Sequence, residues 1–266
     1  MNIGGEKMNP TVYFYTNLQI KDEDKERAER ALYSKGVQKH ILIKNRLSLW
    51  CDTTVGECVK YTQIATAYRY DKRIRLVLFK YISYLEEFYR AKICDAYFNK
   101  TKQKFWTIEM QEKLKRNKND MDRALEHLDF AALLEQCKMC PPKVKKQFAF
   151  PHNHFEENVD ALIRLRNAVM HNKFLLLYRG LGECYIDGIE NVQTSLSAHI
   201  INLISFLPTE VGEKCKTEIN ACKIDRNEPN ETEWDLPDTL VLNLDIKQAQ
   251  KPLLPKKINC NAKVCK

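Results

Sequence analysis

Residues 154–178 read HFEENVDALIRLRNAVMHNKFLLLY, and their spacing decides the fold class. Val159, Leu162, Ile163, Val169 and Met170 recur at helical intervals and form one apolar stripe, which predicts a helix over about 154–178. Asn153 and Glu156 stand at capping-box spacing at its start, with Asn in place of the usual Ser or Thr. Arg166 falls within the apolar stripe. A guanidinium there needs either a buried carboxylate such as Glu86, or a cleft or subunit interface that admits a phosphate. Asn167 and His171 lie four apart on the flank, and Arg164 joins them, seven residues before His171.

Working outward, residues 71–99 give a second strong helix. Ile74, Leu78, Tyr81, Leu85, Phe88, Tyr89 and Ala96 share one face. Glu86 lies at the edge of that face and Glu87 on the opposite, solvent side. Arg90 follows Glu86 by four residues, so the two can pair along the helix. Residues 22–35 predict a charged helix with Asp22 as its N-cap and Gly36 as its stop. Residues 38–50 fit strand or helix equally, and 53–70 return to helix. Two further helices are expected over 105–116 and 121–137, broken near 117–120 and closed by Pro141-Pro142. A loop with a short hairpin through Asp187-Gly188 follows, then helices over 190–207 and 209–225. The first twenty residues read as an irregular or strand-like arm, residues 240–246 as a short strand, and the end of the chain as a loose tail.

Composition agrees with a helical chain. Of 266 residues only 8 are Gly and 9 Pro, too few for a many-turned β architecture. Hydrophobic residues make up 44% and charged ones 29%, the balance of a globular protein. A net charge of +8 and a pI near 8.9 favour an anionic partner, with basic patches at 113–118, 143–146 and 251–257. Ten cysteines are irregularly spaced and no secretory or membrane-spanning stretch is seen, which predicts reduced thiols in the cytoplasm. Cys137 and Cys140 form a single CxxC without a second pair, so helix-end cysteines are expected rather than zinc. His152 and His154 read as loop and cap, His127 as a surface residue, and His199 as a core histidine. No Walker loop, dinucleotide fingerprint, zinc-protease motif or Gly-x-Ser-x-Gly elbow occurs.

Arg166-Asn167-Ala168-Val169-Met170-His171 resembles the Arg-Asn-x3-His form of the HEPN ribonuclease signature. Ile82–Arg90, with Glu86 and Arg90, is similar to the apolar-Glu-x3-Arg helix of the Abi-like, abortive-infection branch of that superfamily. The resemblance is carried by residues 73–99 and 155–178, and elsewhere only by helical character. It implies an all-α, HEPN-like bundle over 71–225, preceded by a helical extension (1–70) and followed by an extended tail (226–266). It also implies a homodimer whose paired Arg and His line one composite cleft and cleave single-stranded RNA without metal or cofactor. In that reading Arg166 and His171 are catalytic and Asn167 positions them. Glu86, Arg90, Arg164 and Lys173 support the site or contact RNA. The expected products are a 2′,3′-cyclic phosphate and a 5′-hydroxyl, the setting antiphage or toxin–antitoxin defence, and a further partner an antitoxin protein or RNA. The alternative is a non-catalytic RNA-binding or sensor module on the same scaffold.

Overall fold

The computed structural model describes residues 9–50, 59–98, 100, 102–148, 154–223, 235–236 and 240–244. The protein is all-α: eleven α-helices, one 3₁₀ turn and one two-stranded sheet account for the regular structure among these residues. The chain divides into two compact units. Among the described residues, one unit holds those within 9–72 with 223, 235–236 and 240–241, and the other those within 73–222 with 242–244.

In the first unit, α1 (Pro10–Tyr15) packs on α3 (Val37–Trp50), and α2 (Asp22–Lys35) on α3 as well. The expected irregular arm is thus partly helical, started by Asn9, whose side chain accepts from the Thr11 N–H at 2.8 Å. The ambiguity at 38–50 resolves as helix. Its buried Lys44 explains part of that outcome. The ammonium donates to the carbonyls of Tyr13, Phe14 and Thr16 at 2.7, 3.0 and 2.8 Å, filling acceptors that the end of α1 leaves open. Gly36 stops α2 with φ 87°, as its position predicts, whereas Asp22 is the first helical residue and Lys21 the cap. Strands β1 (Leu18–Gln19) and β2 (Val59–Lys60) pair in parallel, Leu18 opposite Val59. Residues 61–72 of the long helix α4 (Tyr61–Tyr97) complete this unit; residues 53–58, expected to be helical, lie outside the described set.

The second unit contains the rest of α4 and helices α5 (Ile108–Arg116), α6 (Met121–Glu126), α7 (Phe130–Met139), α8 (Pro142–Lys145), α9 (Phe155–Met170), α10 (Leu196–Ser205) and α11 (Thr209–Ala221). Packing runs α5 on α6 and α7, α7 on α9, α9 on α10, and α10 on α11. Short polar side chains start most of these helices. Thr107, Asp120, Asp129 and Ser195 each accept a first-turn N–H at 2.9 to 3.2 Å. Asp129 breaks what periodicity predicts as one helix over 121–137, because its carboxylate caps α7 and ends the run at His127–Leu128. The 190–207 segment is helical only from Leu196, after the predicted hairpin closes with a Cys184–Gln193 bridge. Residues 240–244, expected as a strand, are not one; Leu240, Leu242 and Leu244 are buried instead. The CxxC thiols of Cys137 and Cys140 are free and buried, at the end of α7. No helix among the described residues is long and apolar enough to cross a membrane.

Candidate active site on helix α9

Helix α9 buries Asn158, Val159, Ala161, Leu162, Leu165, Ala168 and Val169. The buried face is therefore centred between Leu162 and Leu165, and Ile163 and Met170 are only half-buried. Arg166 consequently sits at the edge of the apolar face rather than in its middle. Burial of Leu165 and Ala168 turns the apolar face away from the stripe of residues 159, 162, 163, 169 and 170.

At that edge Arg166 meets α4. Its Nε donates to Glu86 Oε1 at 3.4 Å, and Arg90 Nη1 donates to Glu86 Oε2 at 3.4 Å, so one carboxylate serves two guanidiniums. Side-chain exposure is 15% for Glu86, 23% for Arg90 and 29% for Arg166, which makes the network partly sheltered yet open on one side. Arg90 is fixed from behind. Its Nε and Nη2 donate to the carbonyls of Leu125 and Leu128 at 3.1 and 3.0 Å, groups bared by the α6–α7 break. Arg166 also lies over the Phe130 ring at 5.9 Å and donates from Nη1 to Asn167 Oδ1 at 3.3 Å. The Glu86–Arg90 pair is legible from helical spacing. Phe130 and the two carbonyls are not, since only folding brings them beside residue 90.

His171 ends α9 as its C-cap, with an exposed side chain. The turn after it is clamped. Asn172 takes a left-handed conformation, φ 52°; its N–H donates to Val169 O at 3.1 Å and that of Lys173 to Ala168 O at 2.9 Å. These two bonds make a Schellman closure in which Asn stands where Gly is commonest. Arg75 of α4 adds a bond from Nη1 to Asn172 Oδ1 at 2.8 Å. The expected 154–178 helix therefore ends at Met170, and only a 3₁₀ turn, Leu175–Leu177, follows.

Asn167, His171 and Lys173 are all exposed, and Arg164 is exposed on the same side. The Arg164 guanidinium lies over Gly182, where its Nη1 comes within 2.8 Å of the place a Cβ would occupy. The structure thus brings Arg166, Asn167, Glu86 and Arg90 into one bonded group, with His171 at the end of the same helix. Arg164 is directed to the 182 loop, and Lys173 shares only the closing turn.

The rival histidines fall elsewhere. His199 is fully buried, its Nε2 3.2 Å from Gly182 O, and burial pulls its pKa down to about 4. His127 caps α6 on the surface. His154 stacks on Tyr185 at 3.7 Å and sits 3.8 Å from Glu157, while His152 and Asn153 lie outside the described residues. Among the described residues, no three His, Cys, Asp or Glu side chains converge to hold a metal. Comparison with protein-family models, with curated proteins and with solved structures found no match.

Proposed function

We propose that the protein is a metal-independent endoribonuclease whose cleaving groups are Arg166 and His171, assisted by Asn167 and completed by a second copy of the chain. The observation that carries this reading is the half-exposed Arg166 guanidinium, oriented by Glu86 and hydrogen-bonded to Asn167, on the helix that ends at an exposed His171. Five residues of helix set the two groups roughly 7 Å apart along the axis and about 140° apart around it, so the reach of the long Arg166 side chain has to bring its guanidinium and the His171 imidazole to one phosphodiester. The planar guanidinium of arginine suits a phosphate, whereas histidine can both take and give a proton.

The ribose 2′-oxygen attacks phosphorus as its proton passes to a His171 imidazole. The P–O5′ bond breaks, and the leaving oxygen receives a proton from the partner copy's imidazole. The products are a 2′,3′-cyclic phosphate and a 5′-hydroxyl end. Arg166 steadies charge gathering on the non-bridging oxygens, where a pre-oriented cation is most effective. The chain also offers a surface for a second copy. Phe79 is exposed and lies seven residues before Glu86, two turns along the same side of α4, with exposed Leu76 beside it. Defence against phage, or a toxin held by an antitoxin, is the biological setting this chemistry suits.

The test is cleavage of end-labelled single-stranded RNA. His171→Ala is expected to lower the rate by roughly 10²–10⁴-fold, the range for losing a general acid–base, with the fold unchanged. Wild-type activity is expected to persist in EDTA. RNA binding with no new ends in the wild type would replace the enzyme by a binding or sensor module, and strict metal dependence would overturn the mechanism.

A further inference from the structure

In the second unit, residues 97–109 and 137–148 carry seven lysines against a single carboxylate, Glu109. The fold brings these two segments together. Gln136 of α7, fully buried, staples them: its Oε1 accepts the Thr107 N–H at 3.0 Å and its Nε2 donates to Phe105 O at 3.2 Å. The Tyr97 ring packs on Phe105 at 4.7 Å and on Trp106 at 4.9 Å. The Tyr97 hydroxyl and the Cys140 thiol lie close enough for each to act on the other's ionisation, and Lys145 of α8 acts on the same thiol. The loop from α4 to α5 and the helix α8 therefore flank one aromatic floor.

Of the seven lysines, Lys138 is held by Glu135 at 2.7 Å and by Glu156 of α9, which also occupies those two carboxylates. Lys100, Lys102, Lys104, Lys143, Lys145 and Lys146 form no ion pair among the described residues, and all but Lys145 are exposed. Beside them Phe98 is 69% exposed, on a turn closed by the Lys100 N–H bond to Tyr97 O at 2.8 Å. Unpaired cations next to an open aromatic face suit single-stranded nucleic acid, whose phosphates take the charge while its bases stack. Helix α7 ties this strip to the Arg166 network. It starts at Phe130, over which Arg166 lies, and ends ten residues on, about 15 Å away, at the strip. A few nucleotides of extended strand cover that length.

We infer that the lysines of 100–104 and of 143–146 form one surface that carries the phosphate backbone of a single-stranded nucleic acid, to one side of the Arg166–His171 pair. That the strand is RNA rests on the function proposed above; the surface itself needs no cleavage.

Fluorescence anisotropy of the full chain with a labelled 2′-O-methyl oligouridine tests this. A methylated 2′-oxygen cannot attack phosphorus, so binding is read apart from cleavage. Saturable binding that weakens with salt is expected, each single-strand phosphate contact adding about 0.7 to the slope of log affinity against log salt. Lys102→Gln with Lys104→Gln, and Lys143→Gln with Lys146→Gln, should each lower that slope by about 1.4 and the affinity about twentyfold at about 0.1 M salt. All four side chains are exposed and can be replaced without touching the core. Phe98→Ala should weaken binding about fivefold or more at unchanged slope, through the loss of a stacked base. Lys115→Gln with Lys118→Gln, at the end of α5 near Glu112, Asp120 and Asp122, is the charge-matched control and should change affinity less than about threefold. Absence of saturable binding overturns the inference. So does unchanged affinity in Phe98→Ala or in either lysine pair of the surface, or an equal loss in the control. Binding to phosphatidylserine vesicles that the two pairs abolish, with no oligouridine bound, overturns it in favour of an anionic membrane. Binding that follows these numbers in a chain that cuts no unmodified RNA would keep this surface and remove the nuclease reading alone.

Discussion

Replacing Glu86 by Gln tests the core of the site, because this one carboxylate holds two guanidiniums. The substitution keeps shape and removes charge, leaving Arg166 and Arg90 side by side without compensation. Breaking a fully buried ion pair costs about 3–5 kcal/mol, and an exposed one about 0–1. Glu86 is 15% exposed and its partners 23% and 29%, with both contacts at 3.4 Å, longer than strong charge-assisted bonds. The cost should fall between those limits, about 1–2 kcal/mol, a five- to thirtyfold change in the folded ratio. Hydrogen exchange of the α9 amides reads this in the second unit alone. A double-mutant cycle with Arg166→Met should return a coupling of about 0.5–1.5 kcal/mol. Additivity within about 0.3 kcal/mol would mean that Arg166 is not held by Glu86 in solution, and the pre-oriented phosphate clamp would have to be abandoned.

Three further outcomes are expected. His199 is held near 4 by burial, so the unfolded chain, with its ordinary histidine, takes up a proton first. Its stabilising contribution is complete above about pH 6.5 and is lost as pH falls toward 4, on the order of 3 kcal/mol; His199→Gln should flatten this slope in acid titration of stability. Asn172→Ala should destabilise by about 1–2 kcal/mol through the left-handed backbone and the lost Arg75 bond, and Asn172→Gly by less, as urea unfolding would show. Lys44→Met strips the donor from three carbonyls at the end of α1 and should cost about 2 kcal/mol or more, measurable as increased exchange of the α1 amides.

Helices were legible in the sequence from apolar periodicity, as in α9 and the 71–97 part of α4, and in α2 from its run of charged residues closed by Gly36. Their ends were less so. Met121–Cys137 looked continuous because Leu125, Leu128 and Ala132 keep helical spacing across the break, and the weight of Asp129 as a cap shows only once its side chain bonds Ala132. The end of α9 was likewise hidden, since Asn172 gives a weaker stop signal than glycine. Within the site, Glu86–Arg90 is local and could be read from spacing. Glu86–Arg166 spans eighty positions and remained one of two ways to satisfy Arg166. Arg75 with Asn172, and the lysines of 100–104 beside those of 143–146, depend on tertiary placement that no single window of sequence carries.

The clamped turn beyond Met170 has a consequence for recognition. With the backbone of 171–173 tied by two main-chain bonds and by Arg75, the His171 imidazole keeps only its own two torsions. Engaging a ligand then sacrifices the freedom of one small ring, about 0.5–1.5 kcal/mol, instead of the ordering of a whole loop. In the proposed nuclease, a base carried this way would meet many differently shaped strands without waiting for its support to assemble.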